Sequence, residues 1–374
     1  MSMKYFSTFT GIGGFELGIQ YAYEQKYGMG SKEAWNKGVG NSINARDSGN
    51  TKGSRVKPQR SICVGYSETD KYAIEIYDKK FNHKNYGDIT TINAKEVPDH
   101  DLFVGGFPCQ AFSIAGKRKG FNDTRGTLFF DIARIVREKQ PRLLLLENVK
   151  GLLSHDQGRT FYTIITTLDE MGYDCQWQVL NSKNHGVPQN RERVFIIGHL
   201  RGTPRPQVFP FGEGAEETTR QVINPLKGKT DYGWHLEQNI YDPEGITRTV
   251  KAGGGSGNMP KVIVDKCNCN EGGACEACCV GCGEHKEQCT CGDANQISKT
   301  VRAGGRMSPH GSKQNWDSYE VEGRIRRLTP TECERLQGFP DRWTEGVSDT
   351  QRYKTLGNAV TVNVIRDIVG KLLD

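Results

Sequence analysis

Residues 143–146 are four consecutive leucines, followed at once by Glu147 and Asn148. An apolar run that is short and unbroken fits a strand covered on both faces, as in a parallel sheet packed between helices. The surrounding chain repeats the theme. Strand-like segments at 4–9, 61–66, 102–104, 143–146 and 194–197 alternate with amphipathic stretches. After the first of them, Phe15, Ile19, Ala22 and Tyr23 share one face of a helix. The expected architecture is therefore α/β, a doubly wound and mostly parallel sheet.

Residues 28–60 break this rhythm with Gly, Asn, Ser and Lys, and predict an inserted loop. Residues 26–60 hold eight basic residues against two acidic ones, an excess equal to the whole chain's +6. That permits a polyanionic partner without demanding one, and a solvated loop is the commoner outcome of such a charge run. From about residue 201 Gly and Pro rise, apolar runs shorten, and helical signals return only at Thr329. Thr329 reads as an N-cap, with Pro330 at the first helical position and Glu332 completing a capping box. A last helix is expected over 362–373. A chain of 374 residues accommodates one larger and one smaller domain. No stretch is long enough to span a bilayer, and the start of the chain carries no secretion-like apolar run, so a cytoplasmic location without membrane attachment is expected.

Eight of the twelve cysteines fall within 267–291 as four close pairs: Cys267 with Cys269, Cys275 with Cys278, Cys279 with Cys282, and Cys289 with Cys291. Such spacings let two thiolates reach one ion, and two pairs complete a tetrahedral zinc site. Disulfides, an iron–sulfur cluster or an unmetallated loop are the alternatives. Adjacent Cys278 and Cys279 and a reducing compartment disfavour disulfides.

Three constellations carry chemistry. Phe9, Thr10, Gly11, Ile12, Gly13 and Gly14 lie between a strand and a helix, where glycines let a ligand approach the helix N-terminus; a tight turn alone is the bland reading. Glu68 ends the next strand, where an acid would bind ribose hydroxyls, and Asp88 ends a third unit. Together they describe a nucleoside-bearing cofactor. Cys109, in Pro108-Cys109-Gln110 after two glycines, lies just past a strand at the edge where such folds place their chemistry. A buried core cysteine is the alternative there, but a Pro-Cys-Gln turn is not core-like. Glu147-Asn148-Val149 follows the leucine run, and Gln189, Arg191 and Arg193 precede another strand.

These residues resemble the cytosine-5 DNA methyltransferase family. The motifs occur in order: the 9–14 loop, Glu68, Asp88, Pro108-Cys109-Gln110, Gly126-Thr127-Leu128-Phe129, Glu147-Asn148-Val149 and Gln189-x-Arg191-x-Arg193. The segment 327–340 and Leu356-Gly357-Asn358-Ala359-Val360-Thr361 follow, so the likeness covers 3–198 and 324–374. It implies a class I methyltransferase sheet (Rossmann-like) for residues 1–198 plus 324–374, and an irregular, β-rich target-recognition domain over 199–323. It also implies S-adenosylmethionine as cofactor, held by the 9–14 loop, Glu68, Asp88, Ile89, Pro108, Leu128, Asn358 and Val360. Cys109 would add to cytosine C6, Glu147 would supply or share the N3 proton, and Arg193 would hold O2 with Arg191 as helper. A base inside a duplex cannot reach the thiol, so the target would be flipped out, with a loop over 111–125 closing over it and Gln110, Ser113 and Arg118 contacting the DNA.

One repeat lies in the variable region: nine residues from Ile246 recur from Ile297 with six identities. Its charges, Arg248 and Lys251 in one copy and Lys299 and Arg302 in the other, would contact DNA or decorate a duplicated hairpin. The expected partner is double-stranded DNA, with a cognate restriction endonuclease in the same prokaryotic or viral host cell, and the chain would act as a monomer. A tRNA cytosine-5 methyltransferase is the competing enzyme. A non-catalytic DNA-binding or metal-sensing protein on this scaffold is the competing class, against which intact Cys109, Glu147 and Arg193 argue.

Overall fold

The computed structural model describes residues 2–28, 61–108, 128–212, 240–241, 247–250, 261–264 and 324–374. Its centre is a six-stranded sheet in the order β2-β1-β3-β4-β7-β5. The strands are β1 (Met3–Thr8), β2 (Ser61–Ser67), β3 (Leu102–Gly106), β4 (Leu143–Val149), β5 (Tyr173–Asn181) and β7 (Glu192–Leu200). β2, β1, β3 and β4 are mutually parallel, whereas β7 runs antiparallel to both β4 and β5. The strand order reverses at β1, which has β2 on one side and β3 on the other. Ligand crevices in open α/β sheets form outside the carboxyl ends of strands at such a point.

The leucine run explains the layering. Leu143 and Leu145 belong to one core, Leu144 and Leu146 to the other, and all four are fully buried. On the first face, Phe15, Ile19 and Ala22 of α1 (Gly14–Tyr27) pack with Ile365, Ile368 and Val369 of the C-terminal helix. The helical face read from the sequence is thus the buried one. On the second face, Ile132 and Val136 of α3 (Leu128–Lys139) join Ile164 and Leu168 of α4 (Arg159–Glu170). Between them in the chain, α2 (Lys71–Asp78) follows β2, its N-cap Asp70 accepting from the Tyr72 and Ala73 N–H groups.

The C-terminal segment returns to this sheet through α5 (Pro330–Leu336), α6 (Asp349–Asn358) and α7 (Val362–Leu372). α5 starts with the expected capping box between Thr329 and Glu332. Trp343, 1% exposed, donates from its indole nitrogen to the Ile12 carbonyl at 2.9 Å, seating this segment against the first loop. Among the described residues two smaller sheets accompany the central one. β11 (Arg324–Arg327) pairs with β10 (Lys261–Val264), which pairs with β8 (Ile240–Tyr241). β6 (Gln189–Asn190) pairs with β9 (Thr247–Arg248). The sequence expectation of a strand starting only after Arg193 is corrected here: Arg193 lies inside β7, and Gln189 has a strand of its own.

Candidate active site

The carboxyl ends of β1 and β2 form one wall. Phe9 leaves β1 with φ 51°, and the hydroxyls of Ser7 and Thr10 meet at 2.9 Å in the interior. The Gly11 N–H donates to Glu68 Oε2 at 2.8 Å, while Glu68 Oε1 accepts from the Thr69 and Asp70 N–H groups. A carboxylate therefore braces the turn. Beside Gly11 (φ 57°) a Cβ would meet nothing within 4 Å, so the loop borders open space. Gly13 caps α1 with φ 90°, and Ile12 is fully buried beneath the turn. At Gly14 a Cβ would stand 2.8 Å from Val360 Cγ1, so only glycine lets the C-terminal segment close on the loop. Asn358, two residues before Val360, is exposed.

Asp88 is exposed and caps a short turn by accepting from the Thr90 N–H (2.9 Å) and hydroxyl (2.8 Å). The next residue, Ile89, is buried, and its carbonyl accepts from Arg134. Pro108 is exposed at the end of its segment, and Leu128 is half-buried at the start of α3. A glycine turn with open space beside it, an acid just past the end of β2 and a second acid capping the turn at Ile89–Thr91 suit the amino-acid and nucleoside parts of S-adenosylmethionine.

The ends of β3, β4 and β7 form the second wall. In the antiparallel ladder Glu147 faces Phe195 and Val149 faces Arg193. Glu147 and Arg193 are therefore diagonal neighbours on one face, within reach for long side chains. Arg193 Nε meets Glu147 Oε1 at 3.0 Å, with the side chains 17% and 12% exposed. The parallel pair Gly106–Glu147 ends the β3–β4 ladder. A Cβ at Gly106 would lie 3.0 Å from Glu147 Oε2, so this glycine leaves room for the acid. On the other face, Asn148 is buried and donates to the Phe107 carbonyl at 2.7 Å.

Arg191 departs from its expected role. Its guanidinium is buried and donates to the carbonyls of Val250 (3.4 Å), Gly357 (3.1 Å) and Ala359 (2.8 Å). Burial pushes its pKa down to about 9, which leaves it charged at neutral pH. With three of its five N–H donors spent on main-chain carbonyls, it braces the scaffold. Gln189 does similar work, donating to the Leu336 carbonyl and accepting from the Val250 N–H. The first copy of the repeat docks here too. The Thr247 N–H donates to the Pro188 carbonyl, the Thr249 hydroxyl to the Asn190 carbonyl, and Val250 is fully buried.

The sequence motifs contain Gln189 and Asn148 without assigning either a role; their contacts with distant carbonyls supply one. Cys109, Gln110, Ser113, Arg118, Lys251, Lys299, Arg302 and the cysteines at 267, 269, 275, 278, 279, 282, 289 and 291 lie outside the described residues, as does the side chain of Arg248. Among the described residues no cluster of His, Cys, Asp and Glu could hold a metal ion, and no helix is long and apolar enough to cross a membrane.

A six-stranded, mostly parallel sheet with an antiparallel strand before its edge, and a glycine turn after its first strand, is the class I methyltransferase fold. It is shared with the crystal structure of the S. pombe Dnmt2 methyltransferase, at TM-score 0.58 and 19% identity over 99% of this chain and 98% of that one. The family model for C-5 cytosine-specific DNA methylases matches residues 3–374, and the chain belongs to that family. It is 39% identical over 308 residues to the Type II methyltransferase M1.ScrFI of Lactococcus lactis subsp. cremoris, covering 82% of this chain and 71% of that one. It is 38% identical over 308 residues to the Type II methyltransferase M.HhaI of Haemophilus parahaemolyticus, covering 82% and 86%. The chain is thus a DNA cytosine-5 methyltransferase dependent on S-adenosylmethionine.

Proposed function

We propose that the chain methylates C5 of a flipped-out cytosine within a specific duplex sequence, with Cys109 as nucleophile, Glu147 as proton donor and Arg193 as the residue that orients both acid and base. The observation that carries this assignment is the 3.0 Å Arg193–Glu147 pair at the strand end beside Gly106, three residues before Cys109. The Cys109 thiolate bonds to C6 while Glu147 protonates N3, which makes C5 an enamine carbon able to attack. Bound S-adenosylmethionine supplies the electrophilic methyl sulfonium. Once C5 has taken the methyl, which leaves the donor sulfur as a neutral thioether, loss of the C5 proton to water expels the Cys109 thiolate, the N3 proton returns to Glu147, and the aromatic ring is restored. Arg193 holds the carboxyl of Glu147 and faces the cytosine O2 through its remaining donors. Glu68, Asp88 and the 9–14 loop hold the cofactor against the Val360 wall.

The test is a duplex bearing 5-fluorocytosine, whose fluorine cannot leave as a proton does. A stable protein–DNA adduct is expected with the wild type and none with Cys109→Ser; an adduct with Cys109→Ser would sink the assignment. A tRNA substrate in parallel separates the RNA reading, and bisulfite sequencing of DNA from expressing cells gives the recognition sequence.

Recognition belongs to residues 199–323 in this reading, with 1–198 and 324–374 as the catalytic domain. The docking of Thr247, Thr249 and Val250 favours a structural role for the first repeat copy. The eight cysteines at 267–291 are read as a structural zinc site, because the segment is rich in Gly and nearly devoid of large apolar residues, so metal would supply its folding energy. Metal analysis of protein prepared without chelator should find about two zinc ions per chain. Metal-free protein with eight reactive thiols and full site-specific activity would end that reading. Monomeric action on DNA in the cytoplasm, alongside a cognate endonuclease, completes the proposal; the similarity to Type II methyltransferases supports its endonuclease part.

A further inference from the structure

Glu147 and Asn148 are consecutive in β4, so they face opposite sides of the sheet. Glu147 joins Arg193 on one side. Asn148, 2% exposed, turns to the other, where its Nδ2 donates to the Phe107 carbonyl at 2.7 Å and its Oδ1 accepts from the Val149 N–H at 2.9 Å. The last pair of the β3–β4 ladder is Gly106 with Glu147, so Phe107 lies one residue beyond it. The Asn148 amide therefore continues the ladder by one bond where the main chain of β4 no longer does. The Phe107 side chain is buried as well, its ring centroid 5.6 Å from that of Phe129. Phe107 is thus anchored through both its ring and its carbonyl.

Few soft torsions separate that anchor from the nucleophile. The Phe107–Pro108 peptide is planar, so a fixed carbonyl fixes the plane. The Pro108 ring locks the next φ. Only ψ of Pro108 and the torsions of Cys109 itself remain before Sγ.

We propose that Asn148 is a positioning residue for the nucleophile: by holding the Phe107 carbonyl it sets the direction in which the chain departs toward Cys109, in step with Glu147 on the same strand. This rests on Cys109 being the nucleophile. A misplacement of about 1 Å at a reacting group can cost ~10²-fold in rate. Asn148→Ala should therefore slow single-turnover formation of the 5-fluorocytosine adduct by about that factor, with dissociation constants for S-adenosylmethionine and for duplex DNA within a few-fold of wild type.

Asn148→Asp keeps the shape and guards against a folding defect. A neutral carboxyl can donate to the carbonyl and an ionised one cannot, so its adduct rate relative to wild type should climb on acidification. Intrinsic fluorescence, which reports the folded fraction, is read on every sample. An Asn148→Ala enzyme that forms adduct at the wild-type rate overturns the proposal. So does a loss of rate that matches its loss of folded fraction or cofactor affinity, or an Asn148→Asp ratio unmoved by acid. Adduct formation by Cys109→Ser would instead remove the nucleophile reading on which this one stands.

Discussion

Glu16 lies in the first turn of α1 with 1% of its surface exposed, and among the described residues neither of its carboxyl oxygens has a formed hydrogen bond. Burial pushes its pKa up to about 7, tempered by Ser7, its own backbone N–H and Tyr77 nearby. Among the described residues, the groups that act on it include no cation. Tyr5 of β1, Cys63 of β2 and Tyr77 of α2 are themselves driven toward their neutral forms by burial, Cys63 to about 12. The folded chain then binds this proton more tightly than the unfolded chain, whose glutamate has its ordinary value near 4.5. The contribution to stability is complete below that ordinary value and is lost as pH rises to the folded value near 7, after which it stays flat. Glu16→Gln has nothing to titrate. Above neutrality it should be more stable than wild type by on the order of 3 kcal/mol, with the gap closing in acid. His83, held down to about 4 by burial, acts in the opposite sense over an overlapping range. The quantity to follow by thermal melts is therefore the difference between variant and wild type, in which His83 cancels. A difference that does not change with pH would mean that Glu16 is charged in the fold or reached by water.

At the scale of elements, legibility followed the range of the contacts. β3, β4 and β7 were readable because each carries a run of apolar residues buried on both faces, and β1 and β2 because short apolar stretches precede the glycine loop and Glu68. α5 was readable because Thr329, Pro330 and Glu332 make their cap within one turn. β5 was not. Only Tyr173 and Leu180 in it are fully buried, and Trp177 is 48% exposed, so neither a continuous nor an alternating pattern marks it. β6 was not either, since the main chain that completes it comes from Thr247 and Arg248, more than fifty positions away. The acid–guanidinium pair of the site was legible as residue types. Its geometry followed from the antiparallel register of β4 and β7, which a sequence does not display. The same blindness made Arg191 look like chemistry: a charged residue two positions from Arg193 invites a substrate, while the carbonyls that absorb it lie at 250, 357 and 359.

Across the whole molecule Arg191 ties together three parts of the chain that meet nowhere else in sequence. One is the segment that opens β7. Another is Val250, beyond the first repeat's strand. The last is the 357–359 stretch, which leads directly into Val360 against Gly14 of the cofactor loop. Arg191→Ala leaves three carbonyls without this donor. At about 1–3 kcal/mol for each buried polar group left unsatisfied, the variant should lose several kcal/mol of stability. Arg191→Lys is the sharper probe, because a lysine keeps the charge but cannot present a planar fork to carbonyls on different segments. The wall formed by Val360 should loosen with it. S-adenosylmethionine affinity, measured by calorimetry on folded Arg191→Lys, is expected to fall together with the melting temperature, while the rate of methyl transfer at saturating cofactor and DNA stays close to wild type. The opposite pattern, wild-type melting and cofactor binding with a slowed chemical step, would return Arg191 to the reaction. A group that braces backbone acts on what the site can bind before it acts on what the site can do.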